Sequence, residues 1–166
     1  VSLENLGALH FSNEELVKGR THLERALELR ARSLGSWHQD VAWSLIWLAN
    51  LETHAANWDT ARAFVERAVA IQDSLLPDDD LKRTYGLGLF AAIQYQRGDY
   101  RESATLYEQV LRLRLESLGL DHPSTADALH NLGAVYFERG DYGEGQRYLQ
   151  QALDVMRRTV SPTDPL

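Results

Sequence analysis

An all-α solenoid of four helix–turn–helix units is the fold that the 166 residues predict. Three observations carry that reading. The sequence matches itself at a shift of 42 residues in four gapless registers, which is the mark of a repeat architecture. Within each register apolar residues recur at helical spacing, and the period-two alternation of a half-buried strand is absent. Small residues return at fixed places where two helices must approach closely.

The units are expected at residues 1–38, 39–80, 81–122 and 123–160, followed by a tail at 161–166 without helical pattern. Leu3, Leu45, Leu87 and Leu129 align, as do Leu6, Leu48, Phe90 and Leu132. These make the buried stripe of the first helix in each unit, with Gly7, Ala49, Ala91 and Gly133 as the small neighbours. Gly19, Ala61, Ser103 and Gly145 form the matching small column of the second helix. Leu23, Val65, Tyr107 and Leu149 follow, then Ala26, Ala68, Val110 and Ala152, and the series closes at Leu34, Leu76, Leu118 and Val160.

The fourth unit shows the signals most clearly. Pro123 stands at a first helical position, with Asp121 or His122 placed to cap it. Leu129, Leu132, Val135 and Tyr136 then recur at helical spacing. Arg139-Gly140-Asp141 breaks the helix, and Tyr142 opens a second one carrying Tyr148, Leu149, Ala152, Leu153 and Met156. Trp58 aligns with Leu16, Tyr100 and Tyr142 in a column expected to pack. The first unit departs: Glu14-Glu15-Leu16 stands where Gly-Asp-Tyr is expected, so a different helix junction is predicted there.

Composition narrows the function classes. Hydrophobic residues make up 44% and charged residues 25%, as in ordinary globular proteins. There is no cysteine, which removes disulfide and thiolate chemistry. A formal charge of −7 argues against nucleic-acid binding, which needs a basic stripe. No apolar run is long enough to span a membrane, and a cytoplasmic location is expected. The chain does not start with Met and opens inside a helical pattern, which suggests a piece of a longer protein. Among 17 basic residues only Lys18 and Lys82 are lysine, a skew expected of a GC-rich, bacterial genome.

"NLGAVYFERGDYGEGQRYLQQAL" at 131–153 resembles a tetratricopeptide repeat, with that family's Leu-Gly, Tyr, Gly-Asp-Tyr, small-residue and Ala-Leu landmarks. The long period, the longer second helix and the linker "LGLDHPSTA" at 118–126 are similar to the kinesin-light-chain type of this repeat. The resemblance implies a right-handed superhelix whose first helices line a concave groove that takes a protein or peptide ligand. The linkers "GSWHQD" (35–40) and "PDDDLK" (77–82) depart from the family pattern, so altered loops are expected.

The sequence offers little chemistry. The six histidines show no metal-ligand spacing. His38 and His122 share a linker column, and Asp78-Asp79-Asp80 precedes a helix, where acids cap and complement the helix dipole. No cofactor, metal or catalytic residue is predicted, and the chain reads as non-enzymatic.

Binding is expected on a second stripe of each first helix, about 200° round from the buried one at helical pitch. Its candidates are Glu4, Ala8 and Phe11, then Trp43, Ile46, Trp47, Asn50 and His54. Tyr85, Ala92, Tyr95 and Gln96 follow in the third unit, and Asp127, His130, Asn131 and Phe137 in the fourth. The aromatic content exceeds what a solvated face needs, and aromatic residues dominate binding hot spots. Of these, Ile46 and Trp47 read rather as packing residues between neighbouring first helices, and Trp43, Tyr85 and Tyr95 as exposed in the groove. Trp37, in the first linker, is either a separate contact point or a cover for the helix junction. Two other readings stand beside the binding module: a spacer that associates end to end through uncapped terminal units, and a regulatory segment of a larger bacterial signalling enzyme or transcription regulator.

Overall fold

The computed structural model describes residues 13–160. Seven helices occupy them: α1 (Asn13–Leu34), α2 (Gln39–His54), α3 (Trp58–Leu75), α4 (Arg83–Gln96), α5 (Tyr100–Leu118), α6 (Pro123–Arg139) and α7 (Tyr142–Val160). No strand occurs among the described residues. Each helix packs on the next in sequence, and α2 also touches α4. The first helices α2, α4 and α6 therefore form one layer and the second helices α1, α3, α5 and α7 the other. The first helix expected in the opening unit lies outside the described residues. Asn13-Glu14-Glu15, aligned with the turns of the later units, is already helical, so the junction does differ there.

The repeat columns are packing columns. Leu45, Leu48, Leu129 and Leu132 are fully or almost fully buried. The small residues do what their size allows. A Cβ on Gly133 would stand 3.1 Å from the carbonyl oxygen of Gly145, and one on Gly145 would stand 3.1 Å from that of Gly133. One unit earlier the buried Ser103 hydroxyl donates to the Ala91 carbonyl at 2.8 Å, using the same close approach for a hydrogen bond.

Both linker histidines are helix caps. His38 Nδ1 accepts from the Asp40 N–H, and His122 Nδ1 accepts from the Ser124 N–H, each at 3.1 Å. Asp80, at the same repeat position, accepts from the Lys82 N–H at 2.8 Å. The two histidines thus satisfy an orphan donor at a helix start, while Asp80 makes the same two-residue bond in the turn that leads into α4.

The turns inside the units share one geometry. Asn57, Asp99 and Asp141 each donate a backbone N–H to the carbonyl five residues earlier, on Glu52, Gln94 and Tyr136, all at 2.9 Å. This is the bond that closes a helix over a left-handed residue. Gly98 and Gly140 supply that residue at φ 82° and 89°, but the second unit uses Ala56 at φ 56°. An alanine there carries a steric cost that glycine avoids. Ala56→Gly is therefore expected to stabilise the chain by up to about 1 kcal/mol, readable as a raised urea midpoint.

Neighbouring units are latched at the start of each first helix. Gln72 Nε2 donates to the Lys82 carbonyl at 3.4 Å, and Arg114 donates to the Ser124 carbonyl. The equivalent Arg30 reaches the same place indirectly: it donates to Ser44 Oγ at 2.6 Å, which donates to the Asp40 carbonyl at 3.0 Å.

Glu52 breaks the buried apolar stripe of α2, and the structure supplies the reason. Its carboxylate is 0% exposed and accepts from Arg20 Nε at 2.7 Å, from Arg20 Nη2 and from Asn57 Nδ2 at 2.8 Å. The acid is thus held by α1 on one side and by its own turn on the other.

Two phenols are tied into the packing. Burial, foremost, pushes Tyr107 up to about 12 from the usual 10. Tyr136 is pushed up to about 12 by its hydrogen bond to Glu108, at 2.7 Å, and then by burial. Both folded values lie above the unfolded one, so their contribution is fully present below pH 10 and is lost as pH rises toward about 12. Alkaline titration followed at the phenolate absorbance is expected to show these two tyrosines ionising late, together with loss of helical circular dichroism.

Candidate partner-binding groove

The second stripe of α2, α4 and α6 forms three rows that cross the first-helix layer. Trp43, Tyr85 and Asp127 occupy the row near the helix starts, one residue from each helix. Trp47 and Asn50, Leu89 and Ala92, and Asn131 and Ala134 make the middle and are half-buried. His54, Gln96 and Glu138 make the row near the helix ends and are exposed. Glu4, Ala8 and Phe11 lie outside the described residues.

The structure brings Trp43 and Tyr85 into contact. Their rings meet edge to face at 5.3 Å and 64°, a geometry worth about 1 kcal/mol beyond the area it covers. Trp43 is half-buried and Tyr85 is 50% exposed, so the pair is anchored on one side and open on the other. Asp127 and His130 are also exposed.

Other candidates have different roles. Ile46 is only 8% exposed and packs with Val41, Ala42, Leu45, Ala68 and Ile71, so it belongs to the core and not to the groove surface. Tyr95 is half-buried with its ring against Tyr100 at 5.6 Å, and Phe137 stands against Tyr142 at the same separation. Both rings brace the turn between the two helices of their unit. The Tyr95 phenol is raised first by burial and then by the nearby Glu138 carboxylate. Tyr95 therefore offers the groove only part of its ring.

Two glycines of α4, two residues apart and so on nearly opposite faces of the helix, differ in meaning. A Cβ on Gly86 would stand 2.5 Å from Gln72 Oε1 and 3.2 Å from Val69 Cγ2, so these α3 side chains pack against the bare glycine and would have to shift for a larger residue. A Cβ on Gly88 would meet nothing within 4 Å. A helix-interior glycine costs about 1 kcal/mol relative to alanine, and no contact within the fold demands it at Gly88. It leaves open space on the groove face, one turn after Tyr85.

Arg114 of α5 lies beneath the first row. Burial lowers its affinity for its proton, and the attraction of Asp127, Tyr85 and Tyr107 opposes that effect. Sequence reasoning passed over this residue. The signal was present: Arg30, Gln72 and Arg114 are polar in one column of otherwise amphipathic second helices.

Outside the groove, Trp37 is 62% exposed in the α1–α2 linker. Trp58 and Tyr100 are half-buried, whereas Tyr142 of the same column is exposed, since α7 has no following helix among the described residues. Trp58 lines a surface cavity of about 540 Å³ with Ala56, Asn57, Asp59, Thr60 and Arg97. Its one cation, Arg97, is already engaged by Asp59 and Asp99. Among the described residues no cluster of three His, Asp or Glu side chains could hold a metal, and no helix is long and apolar enough to cross a membrane.

Layered helix pairs at a constant period, closed by the same turn and bearing a second stripe on the first helices, define a helical-repeat solenoid. The tetratricopeptide repeat family model matches residues 1–74 and 83–158, and the chain belongs to that family. Among solved structures, the chain is similar to a variant of the kinesin-light-chain TPR-like repeats of Podosopora anserina. That likeness has 25% identity and a TM-score of 0.81, covering 92% of this chain and 72% of the other. BtubC (BKLC) from P. vanneervenii matches at 18% identity and TM-score 0.82, over 92% of this chain and 61% of its own. A second structure of the Podosopora anserina repeats matches at 20% identity and TM-score 0.61, over 90% and 91%. No curated protein matches significantly. The array is thus of the kinesin-light-chain type, and repeats of this family generally mediate protein–protein interaction.

Proposed function

We propose that the chain is a non-catalytic binding module, a scaffold or adaptor element that docks a protein segment or peptide along the concave face of α2, α4 and α6. The observation that carries this reading is the Trp43–Tyr85 pair with Gly88 one turn further along α4: an aromatic contact open to solvent, followed by a glycine that no contact within the fold demands. Large rigid rings close to a small residue are the arrangement that concentrates binding energy in few residues. Trp43→Ala and Tyr85→Ala are each expected to weaken capture of a partner about tenfold or more. Tyr95→Phe, which keeps the ring that braces the turn, is expected to leave capture nearly unchanged. Unaltered binding in both alanine variants would refute the groove assignment.

A second reading, end-to-end self-association, rests on a separate observation. Leu153 and Met156 of α7 are 41% and 39% exposed, whereas Leu111, one repeat earlier than Leu153, is buried beneath the next unit. An apolar helix face of this kind favours stacking on another helix. Light scattering that rises with concentration, and falls after Leu153→Glu with Met156→Glu, would support it; a clean monomer at high concentration would reject it.

A further inference from the structure

Charge is distributed unevenly between the groove and the rest of the molecule. Away from the groove, carboxylates are mostly neutralised by arginine. Asp59 pairs with Arg97, Asp73 and Asp78 with Arg83, Asp121 with Arg158, Asp141 with Arg139, and Glu116 with Arg112. The two groove-stripe carboxylates that lie within the described residues, Asp127 and Glu138, make no ion pair there. Arg114 attracts Asp127 but spends a donor on the Ser124 carbonyl and is partly buried. Glu138 lies near enough to the Tyr95 phenol to raise it. No Lys or Arg stands at any position of the stripe.

The two acids also share one unit. They are 11 residues apart on α6, three turns or about 16 Å along the helix, with His130, Asn131 and Ala134 between them. The apolar rings and Gly88 lie on α2 and α4. Over the described units the groove is therefore polarised, with its exposed and half-buried rings on α2 and α4 and its carboxylates on both rims of α6.

We propose that the groove selects an extended peptide segment that is apolar at one end and basic at the other. Its apolar side chain rests over Gly88 against Trp43 and Tyr85, and its Lys or Arg side chains lie against Asp127 and Glu138. This rests on the groove being a docking site. It adds the chemistry and the direction of the occupant. Unpaired carboxylates on a groove rim raise the arrival rate of a basic segment and penalise an acidic one.

The test uses the full chain and an array of capped 12-residue synthetic peptides that vary independently in aromatic, basic and acidic content. Bound peptides are expected to carry one apolar anchor and two or more Lys or Arg residues, and to weaken as salt rises from low to physiological strength. Asp127→Lys with Glu138→Lys, both exposed positions, is expected to lower affinity for those peptides about tenfold or more and to admit acidic ones. Gly88→Leu is expected to weaken binding irrespective of peptide charge. Binders that are acidic or indifferent to charge would overturn the inference while leaving the groove assignment intact. An array without any binder would overturn both.

Discussion

Arg20→Ala is expected to cost the array about 2–3 kcal/mol, the largest loss from any partly exposed side chain. Glu52 is the reason. Its carboxylate is fully buried, and Arg20 supplies two of its three hydrogen bonds. Removing the guanidinium leaves a fully buried carboxyl group with Asn57 as its remaining side-chain donor. That penalty exceeds the small value of a surface ion pair, although Arg20, 41% exposed, keeps the loss below that of a wholly buried pair. Because repeat arrays are stabilised by nearest-neighbour contacts, the loss falls on the α1–α2 junction. Amide exchange is expected to show α1 opening first, with α5 to α7 little changed. Replacing both partners by apolar residues of similar size, Arg20→Met with Glu52→Leu, is expected to recover most of the stability. A double-mutant cycle in urea gives the coupling directly.

Gly133→Val is expected to cost about 3 kcal/mol or more, by overpacking at a backbone crossing. A Cβ at this position would stand 2.7 Å from Leu149 Cγ and 3.1 Å from the Gly145 carbonyl oxygen. The leucine can shift, but the carbonyl belongs to α7 itself, so the added methyls must push the two helices apart. Gly143→Ala provides the contrast. It lies on α7, two residues before Gly145, with nothing within 4 Å, so it is expected to be neutral or to stabilise by up to about 1 kcal/mol through helix propensity. Paired thermal melts of the two variants separate steric need from conformational preference. Equal losses in both would contradict the packing account.

The repeat and its small-residue columns were readable in the sequence because they encode contacts made identically in every unit. Pro123, Gly140 and Tyr142 announced a helix start, a turn and a second start, and each occurs where expected. The capping role of His38 and His122 was half readable: the shared column showed a structural role, while the acceptor geometry needed coordinates. Glu52 could not be explained from its neighbours, since its main partner is 32 residues away on another helix. The groove stripe was legible as a face and illegible in depth. Helical spacing places Ile46 and Trp43 on the same side, but only the packing of α2 against its neighbours decides that Ile46 is buried and Trp43 half-open. Tyr95 and Phe137 looked like free anchors because the turn-bracing partners, Tyr100 and Tyr142, belong to the other helix of the unit.

The groove account meets its most direct test in the indole N–H signals of the chain's four tryptophans, followed by NMR while a bound peptide is titrated in. Trp43 and Trp47 lie on the groove stripe of α2; Trp37 is in a linker, and Trp58 opens α3 on the other layer. The account predicts that the Trp43 and Trp47 signals move with peptide concentration while those of Trp37 and Trp58 stay in place. Movement of Trp37 or Trp58 with a silent groove pair would contradict it.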